Sequence, residues 1–385
     1  MKKRKRSYKY FFKYMGILFP VLLLIIFLVS VLLPDRSFSE KENRVLSSSP
    51  RMSLSSLASG QFSKKYETYV NDQFPLRDMW VGLKASTDRI LGKTESNGVY
   101  LGKDGYLIED FVPPLPENLE RTTNAMTAFA QSHPDLKHYA LIAPNSVNIL
   151  RELLPAAAPV SDQNLYLDEL NVTLEQGGIT PIDVRESLTS HKEHQLYYRT
   201  DHHWTTQAAY FAYLTAAEEM NLNSGAYSYD KVPVTGSFQG TLSAKSGFRS
   251  GKKEEISVFL PTDDTLSSVV NYVDQQKKTA SFYATEQLKG RDKYAMFFNG
   301  NHPVVKITTP VEESRTLLVL KDSYANCLVP FLTPHYRTIV MVDPRYYFDD
   351  LEKLIQVENI QEVLYLYNAN TFFSDTSLEM TLAPQ

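Results

Sequence analysis

Short apolar segments that alternate with helical segments constrain the fold of this 385-residue chain more than any other feature. HYALIAP at 138–144 and TLLVLK at 316–321 have the length and the apolar composition of buried strands. Strands separated by helices form a parallel sheet with helices on both faces, so the sequence predicts an α/β fold. The other predicted strands are 179–184, 336–343 and 362–368, and the predicted helices are 117–134, 166–178, 205–221 and 349–358.

The composition divides the rest of the chain. Ser-rich residues 34–60 indicate a linker, and residues 61–95 have apolar side chains spaced by three and four, as in a helical segment. A Lys-Asp-Gly turn between two apolar runs predicts a hairpin over 97–110. We expect the sheet domain to span 96–385, with the irregular, Gly- and Ser-containing residues 222–300 as an insertion or lid.

The N-terminal region carries a membrane signal. Residues 1–14 hold seven basic residues and no acidic ones, and the 19 residues at 15–33 are uncharged and apolar. At about 1.5 Å per residue, a helix of this length just crosses a bilayer core of about 30 Å. The basic flank predicts a cytoplasmic N-terminal tip, a transmembrane anchor and an extracytoplasmic body. A cleaved signal peptide is the alternative, but the apolar run is long for one and no Ala-x-Ala-like site follows it.

Charge and cysteine content exclude several classes of protein. The net charge is −4, and without the basic tip the chain holds 33 basic and 44 acidic residues, a net charge of −11. A body with that charge repels phosphate backbones, so we expect no nucleic-acid partner. The single cysteine, Cys327, cannot form an internal disulfide or a cysteine-based zinc site, and we expect it to be buried among Leu and Val.

Four of the eight histidines lie in residues 191–203, next to Trp204. In an extended loop, Asp201 and His203 would face one side and His202 the other. A carboxylate beside an imidazole fixes its tautomer and stabilises the imidazolium, which is half of a Ser-His-Asp triad. The alternative is a structural histidine that packs on Trp204.

Ser323 is the candidate nucleophile because it follows the apolar strand 316–321 and precedes a predicted helix. Such a turn exposes the side chain and directs backbone N–H groups at a developing oxyanion. No G-x-S-x-G motif surrounds it, which disfavours the α/β-hydrolase arrangement. On these grounds alone, Ser323 could equally be a helix cap.

A metal site is the other interpretation of the histidine-rich segment. The H-x-x-H spacing is not the i,i+4 pair of a zinc-binding helix, and adjacent histidines diverge in an extended loop. We therefore expect no metal, and we expect the first two histidines to belong to a solvated segment. The ligands that this alternative would use are His191, His194, Asp201, His202 and His203.

TDHHWTT at 200–206 resembles the motif of the DHHW family of bacterial envelope proteins. That family is similar to the alginate O-acetyltransferase-like proteins and, more distantly, to SGNH hydrolases. The resemblance implies a flavodoxin-like, SGNH-type parallel sheet in circularly permuted order, with Asp-x-His before the serine. Further matching segments are SEKENRVL (39–46), DQFPLRD (72–78), NGVYLGKDGYL (97–107), FFNGNHPVVKI (297–307) and LKDSYANCLVPFL (320–332).

The resemblance also implies roles for particular residues. Ser323 matches the nucleophile, His203 the general base and Asp201 the acid that orients it. The oxyanion donors that we expect are Gly300 and Asn301, with Asn145 as the second choice, although Asn and Gly are also common turn residues. The candidate substrate-binding residues are Trp204, Lys245 and Arg249; the last two lie on the loop 236–253, which would otherwise be a mobile surface loop.

Members of this family act on exported polysaccharides beside a membrane-bound O-acyltransferase that passes acyl groups across the bilayer. The resemblance therefore predicts a membrane-anchored, extracytoplasmic O-acetyltransferase that uses an acyl-serine intermediate and no cofactor. The sequence has no Gly-rich phosphate loop for acetyl-CoA. The rivals are a carbohydrate esterase with the same triad and a non-catalytic component of polysaccharide modification or assembly.

Overall fold

The computed structural model describes residues 2–39, 44–248, 252–262 and 267–383, and it divides the chain into two compact units, Met1–Lys93 and Thr94–Gln385. In the first unit, Phe11–Leu32 is a helical stretch of 22 residues with a mean hydropathy of 3.0, long and apolar enough to cross a membrane. A membrane anchor and a signal sequence share this length and composition. The elements of this unit are α1 (Lys2–Leu32), β1 (Phe38–Ser39), β2 (Arg44–Val45), α2 (Leu54–Ala58), α3 (Gln61–Asp72) and α4 (Arg77–Ile90).

Part of the expected linker is bound to the end of α3. The side-chain oxygen of Gln73 accepts a hydrogen bond from the backbone N–H of Arg36 at 2.9 Å, and its amide nitrogen donates to the Ser47 carbonyl at 3.0 Å. The carboxylate of Asp72 accepts from the Ser47 N–H at 2.8 Å. Arg36 and Ser47, which belong to the predicted linker 34–60, are therefore hydrogen-bonded to the end of the helical segment.

The second unit contains the strands that the sequence predicts, together with several that it does not. The apolar segment 316–321 forms a fully buried strand, as predicted. The predicted strand 179–184 is reduced to two residues, since Pro181 has no N–H for a ladder. The strands are β3 (Glu95–Ser96), β4 (Val99–Leu101), β5 (Leu107–Glu109), β6 (Lys137–Ala143), β7 (Thr180–Pro181), β8 (Tyr229–Phe238), β9 (Glu254–Pro261), β10 (Val269–Tyr272), β11 (Lys277–Thr279), β12 (Val304–Thr308), β13 (Thr316–Lys321), β14 (Thr338–Val342) and β15 (Glu362–Asn368).

The predicted helices are all present in the second unit. Helix α9 begins after Thr205, whose hydroxyl accepts the N–H of Ala208, and α12 begins after Asp350, whose carboxylate accepts the N–H of Lys353. The helices are α5 (Pro116–Ser132), α6 (Ser146–Ile149), α7 (Gln163–Gln176), α8 (Arg185–Ser190), α9 (Thr206–Glu219), α10 (Thr241–Ser246), α11 (Ala325–Leu332), α12 (Leu351–Glu358), α13 (Ala369–Ser374) and α14 (Ser377–Leu382).

The central sheet has eight strands in the order β11-β10-β12-β14-β13-β15-β6-β7. Neighbouring strands from β14 to β7 are parallel, whereas β12, β10 and β11 add antiparallel pairs at the β14 edge. The expectation of a purely parallel sheet is therefore wrong at this edge. Antiparallel neighbours need no helical crossover, so the alternation of strands and helices could not reveal them.

Residues 222–300, which we expect to form an irregular insertion or lid, contain regular strands. Strands β8 and β9 form an antiparallel pair, and β10 and β11 join the central sheet. Much of β8 and β11 is exposed or half-buried. Their apolar alternation is therefore too weak to be recognised in the sequence.

Candidate active site

Ser323 lies two residues beyond the end of β13 and two residues before the start of α11. Asp322 and Tyr324 on either side are fully buried, while Ser323 is half-buried. The carboxylate of Asp322 accepts the N–H of Tyr324 at 2.8 Å and the N–H of Asn368 at 3.0 Å. This carboxylate therefore joins the serine turn to the end of β15 and leaves the serine as the accessible residue.

Two hydrogen bonds connect the loop that carries the DHHW motif (201–204) to the turn that carries Ser323 (322–324). The indole N–H of Trp204 donates to the carbonyl oxygen of Tyr324 at 3.0 Å, and the hydroxyl of Tyr324 donates to the carbonyl oxygen of His202 at 2.5 Å. Tyr197 and Trp204 form an antiparallel bridge across the loop. These contacts hold two segments that are about 120 residues apart in the chain in a fixed geometry.

Asp201, His203 and Ser323 form a continuous line of hydrogen bonds. Nδ1 of His203 is 2.5 Å from Oδ1 of Asp201, and Nε2 of His203 is 2.8 Å from Oγ of Ser323. The backbone N–H of His203 also donates to Oδ1 of Asp201 at 3.0 Å. This is the arrangement in which a carboxylate orients an imidazole and the imidazole removes a hydroxyl proton.

The protonation states of the pair suit this chemistry. Burial, followed by the neighbouring His202, lowers the pKa of His203 to about 4 against the opposing effect of Asp201. Burial would raise the pKa of Asp201, but the two histidines and the N–H of Thr241 outweigh it and hold this pKa well below its usual range. At neutral pH the imidazole is therefore available as a base beside an ionised carboxylate.

The segment around Gly240 encloses the other carboxylate oxygen of Asp201. Thr241 donates to Oδ2 of Asp201 from its backbone N–H at 2.8 Å and from its hydroxyl at 2.9 Å. A Cβ atom at Gly240 would lie 2.6 Å from Cα of Asp201, so only glycine fits this close approach. Part of the predicted surface loop 236–253 thus forms the wall of the site.

Tyr294 covers the face of the His203 ring. The two ring centroids are 3.7 Å apart with an interplanar angle of 14°, and the hydroxyl of Tyr294 donates to the Ser323 carbonyl at 3.3 Å. Tyr294 is 4% exposed, so it excludes water from this face of the imidazole.

In an extended loop, His202 would face away from Asp201 and His203. This expectation is wrong, because the three side chains converge. The ring centroid of His202 is 3.9 Å from that of His203, and its Nδ1 lies 3.0 Å from the Thr241 hydroxyl. The loop bends, so consecutive side chains converge instead of alternating. Ligand atoms of Asp201, His202 and His203 lie within 4.8 Å of one another, which a metal ion could use. Asp201 and His203 also form the hydrogen-bonded line to Ser323, whereas His202 is not part of that line.

The three candidate oxyanion residues have different surroundings. The side-chain amide of Asn145 is buried and donates to Asn368 at 3.1 Å and to the Tyr324 hydroxyl at 3.4 Å. Gly300 has a positive φ of 94°, and its N–H donates to the Phe297 carbonyl at 3.2 Å. The exposed Asn301 accepts hydrogen bonds from Lys321 at 3.1 Å and Asn326 at 3.3 Å through its side-chain oxygen.

Of the three candidate substrate-binding residues, the structure describes Trp204 and Lys245. Trp204 is fully buried, so the expectation that it contacts substrate is corrected: its side chain joins two loops and offers no surface to a glycan. Lys245 forms an ion pair with Glu109 at 2.7 Å. Arg249 lies outside the described residues. Cys327 is buried, as expected, and burial raises the pKa of its thiol to about 12.

Sequence reasoning missed the residues that support Asp201 and His203 from elsewhere in the chain. Glu254 is buried and its carboxylate accepts from the N–H of Arg199 at 2.6 Å and the N–H of Thr200 at 2.9 Å, which positions the loop just before Asp201. No local sequence pattern marks such a residue. The missed residues are Gly240, Thr241, Glu254, Tyr294 and Asn368.

Similar structures have been solved. A DHHW family protein from Eubacterium siraeum aligns with a TM-score of 0.64 and 19% identity, over 76% of this chain and 98% of that one. Bacillus cereus PatB1, solved with a sulfonyl adduct, aligns with a TM-score of 0.58 and 20% identity, over 72% of this chain and 98% of that one. At these identities the likeness establishes a shared mixed α/β fold.

Curated relatives with sequence similarity carry the name probable alginate O-acetylase AlgJ. The protein of Pseudomonas fluorescens is 27% identical over 259 residues, which cover 65% of this chain and 62% of that protein. The protein of Pseudomonas putida is 25% identical over 274 residues, which cover 69% of this chain and 68% of that protein. The chain thus spans about three fifths of the length of the first of these relatives.

A family model described as DHHW protein matches residues 126–342, which are more than half of the chain and include Asp201, His203 and Ser323. Together with the solved DHHW structure, this match shows that the chain belongs to the DHHW protein family.

Proposed function

We propose that this chain is an O-acetyltransferase that transfers an acetyl group to an exported or cell-wall polysaccharide through Ser323, His203 and Asp201. The observation that carries the proposal is the line of hydrogen bonds from Asp201 through His203 to Ser323, at 2.5 and 2.8 Å. The relatives named alginate O-acetylase support acetyl transfer to a polysaccharide as the reaction class.

The first half-reaction forms an acyl-serine. Nε2 of His203 takes the proton of the Ser323 hydroxyl while Oγ attacks the acetyl carbonyl carbon of the donor. The carbonyl oxygen becomes an oxyanion, and collapse of the tetrahedral intermediate breaks the bond to the leaving group, which takes the proton from His203. Asp201 stays ionised throughout and stabilises the imidazolium.

The second half-reaction transfers the acetyl group to a sugar. A glycan hydroxyl gives its proton to Nε2 of His203 and attacks the acyl carbon, after which the bond to Oγ breaks and Ser323 regains the proton. Gly300, Asn301 and Asn145 are the proposed donors to the oxyanion, together with the N–H of Ser323. Asn301 is exposed, its side-chain oxygen accepts two hydrogen bonds, and in the described part of the chain its side-chain nitrogen has no hydrogen-bond partner, which supports it as a donor.

The strand order supports the finer proposal of a circularly permuted flavodoxin-like fold. If the parallel strands are counted from β13 to β15 and then from β6 to β7, their spatial order is 2-1-3-4-5. That is the order of flavodoxin-like sheets, in which ligands bind at the carboxyl ends of the strands. Ser323 follows the carboxyl end of the first strand in this count.

We also propose that Phe11–Leu32 anchors the enzyme in the membrane with its sheet domain on the extracytoplasmic side. The basic residues before this helix support that orientation. An acetyl group from the cytoplasm must then cross the bilayer, so a membrane-bound O-acyltransferase is the proposed supplier. The chain itself would need no cofactor, because the serine carries the acetyl group.

A covalent adduct on Ser323 is the direct test. Full-length protein in detergent is treated with an arylsulfonyl fluoride, and the modified peptide is identified by mass spectrometry. We expect a single adduct on Ser323 that is absent from Ser323→Ala and strongly reduced in His203→Gln. Failure of the wild-type protein to form the adduct would favour the non-catalytic assembly component.

Transfer and hydrolysis are separated by adding an acceptor. The protein is incubated with an acetyl ester, with and without neutral oligosaccharides, and both ester loss and acetylated sugar are measured. Ester loss that accelerates with sugar and yields acetylated product supports a transferase. Ester loss that is unchanged by sugar, with no acetylated product, would replace the proposal with a carbohydrate esterase, whose acceptor is water.

A further inference from the structure

The segment that follows β14, at the same edge of the sheet as Ser323, exposes two aromatic side chains. Tyr346 is 47% exposed and Phe348 is 85% exposed, whereas Tyr347 between them is 5% exposed. Single exposed apolar residues are normal on a protein surface. The buried Tyr347 packs in the core, whereas the two exposed rings on either side of it do not contribute to packing of the sheet.

The parallel strands bring the start of this segment to the edge of the sheet at which Ser323 lies. Strands β13 and β14 are parallel neighbours, and Leu320 is paired with Val342. Directly beyond the two strands, Nζ of Lys321 lies 3.5 Å from the carboxylate of Asp343, and the charge of Arg345 contributes to lowering the pKa of His203. Both segments leave the sheet at its carboxyl edge, where open α/β sheets bind ligands.

The segment is held rigidly. The carbonyl oxygen of Asp343 accepts the N–H groups of Tyr346 at 3.0 Å and Tyr347 at 3.1 Å. The hydroxyl of Tyr347 donates to the carbonyl oxygen of Asp350 at 3.0 Å, which fixes the segment to the start of α12. These hydrogen bonds fix the backbone that carries the two exposed rings, which lowers the backbone entropy lost when a ligand binds.

Arg345 adds hydrogen-bond donors to the two rings. Its Nε and Nη2 donate to the carboxylate of Asp343 at 2.8 and 2.7 Å, and its guanidinium carbon lies 5.5 Å from the centroid of the Tyr346 ring. In the described part of the chain, Nη1 of Arg345 has no hydrogen-bond partner. This nitrogen can donate to a sugar hydroxyl while the rings stack on the apolar faces of neighbouring sugars.

The charges around the segment favour an uncharged ligand. Both Arg345 and Lys321 approach the same buried carboxylate, that of Asp343, at 2.7 and 3.5 Å. Asp349 and Asp350 follow directly after Phe348 and place two carboxylates on the same segment. A polyanion would find no surplus of positive charge here.

We propose that Arg345, Tyr346 and Phe348 form the acceptor subsite and that it takes a neutral glycan in preference to a polyuronate. The inference rests on the proposed function for the location of the acceptor, because the attacking hydroxyl must reach the acyl group on Ser323. It goes further in assigning the residues that bind the sugar and the charge class of the polymer.

Binding is measured without catalysis, so that failure of the subsite and failure of the proposed reaction are distinguishable. Isothermal titration of full-length protein uses two neutral probes, cellohexaose and chitohexaose, and one anionic probe, hexagalacturonate. The double variant Tyr346→Ala/Phe348→Ala removes both rings. Val357→Ala is the matched control, since Val357 is 70% exposed and lies on α12, away from the segment.

We expect at least one neutral hexamer to bind, with a dissociation constant that rises about tenfold or more in the double variant because two stacking contacts are lost. The control variant should bind as the wild type does, and hexagalacturonate should bind more weakly than the neutral probe. The inference is overturned if no neutral hexamer binds, if the double variant binds as the wild type does, or if hexagalacturonate is preferred. Ring-dependent binding without a Ser323 adduct would leave the subsite standing and refute the proposed reaction.

Discussion

The described residues contain two buried histidines that each have a carboxylate on Nδ1. His203 lies 2.5 Å from Asp201, and His302 lies 3.1 Å from Asp274. The two histidines are similarly buried, since His203 is 6% exposed and His302 is 4% exposed, and each has a tyrosine ring nearby. By the criterion of an acid beside an imidazole, both regions would qualify as half of a catalytic triad.

The difference lies at the other nitrogen of each ring. Nε2 of His203 is 2.8 Å from the Ser323 hydroxyl, whereas Nε2 of His302 is 3.1 Å from the carbonyl oxygen of Phe298. A carbonyl can only accept a hydrogen bond, so Nε2 of His302 must carry a proton and cannot act as a base. A hydroxyl can donate, so Nε2 of His203 can remain unprotonated. The third partner therefore distinguishes the Asp274–His302 pair from the Asp201–His203 pair that we propose to be catalytic.

Replacement of each histidine by glutamine should reveal the largest difference in activity between the two Asp–His pairs. His203→Gln should lower kcat/KM for ester cleavage by about 10³-fold or more, because it removes the general base. His302→Gln should leave kcat/KM within about threefold, although it lowers the melting temperature by removing buried hydrogen bonds. Steady-state kinetics and thermal unfolding of both variants are the measurements. Equal losses of activity in folded proteins would contradict the assignment of His203.

Substitution of Gly240 tests whether the enclosure of Asp201 matters as well as the partner of His203. Gly240→Ala should lower kcat/KM by about 10²-fold, since the new Cβ displaces Asp201 and so misplaces His203. Gly236→Ala is the matched control, because a Cβ there meets nothing within 4 Å. Circular dichroism establishes that both variants are folded. Wild-type activity in a folded Gly240→Ala protein would show that this contact has no catalytic consequence.

The pH profile sharpens the comparison further. Since the pKa of His203 is lowered to about 4, its neutral form predominates above that value, and kcat/KM should be level from about pH 6 to pH 8. Below the pKa, kcat/KM should fall by about tenfold per pH unit as the base is protonated. The initial rate of ester cleavage is measured across this range. A midpoint near the ordinary histidine value of about 6.5 would instead indicate a solvated base.

The free energy of unfolding should also rise with pH, as the activity does. The pKa of buried His335, whose Nε2 contacts the Tyr213 hydroxyl at 2.8 Å, is also lowered by burial to about 4. The unfolded chain binds more protons than the folded one between this value and about 6.5, so the free energy of unfolding rises with pH across that window. Activity that follows unfolding, rather than a separate protonation, would remove the support for His203 as the titrating base.

Chelation should have the smallest effect. If His203 serves Ser323, removal of metal ions with EDTA should change kcat/KM by less than about twofold, because the proposed steps use only protein groups. Added Zn²⁺ should inhibit, since Asp201, His202 and His203 offer atoms within 4.8 Å of one another and binding would occupy the base. Loss of activity in EDTA with recovery on Zn²⁺ addition would favour the metal-site interpretation.

The sequence predicted the elements that form the centre of the sheet because each has a strong local signal. The segment 316–321 is a continuous apolar strand, and Thr205 before an apolar-periodic stretch indicates a helix cap. The antiparallel edge was missed, since β10 and β11 are short, partly polar and close in sequence. Local periodicity detects a buried strand well and an exposed edge strand poorly.

The nature of the candidate residues in the site was readable from the sequence, but their arrangement was not. A serine after a strand and an Asp-x-His motif before a helix are local features, which is why Ser323, His203 and Asp201 could be named as candidates. Thr241 and Tyr294 were not named, because their value depends on contacts with residues 40 and more positions away in the chain.

The sequence by itself therefore determined the central strands, the apolar N-terminal helix and the three chemically competent side chains. Only the tertiary structure decided that His202 turns toward Asp201, that Trp204 is a buried connector and that His203, not His302, has a hydroxyl within reach. The physical reason is that hydrogen-bonding and burial depend on groups brought together from distant parts of the chain, whereas strand and helix signals are carried by neighbouring residues.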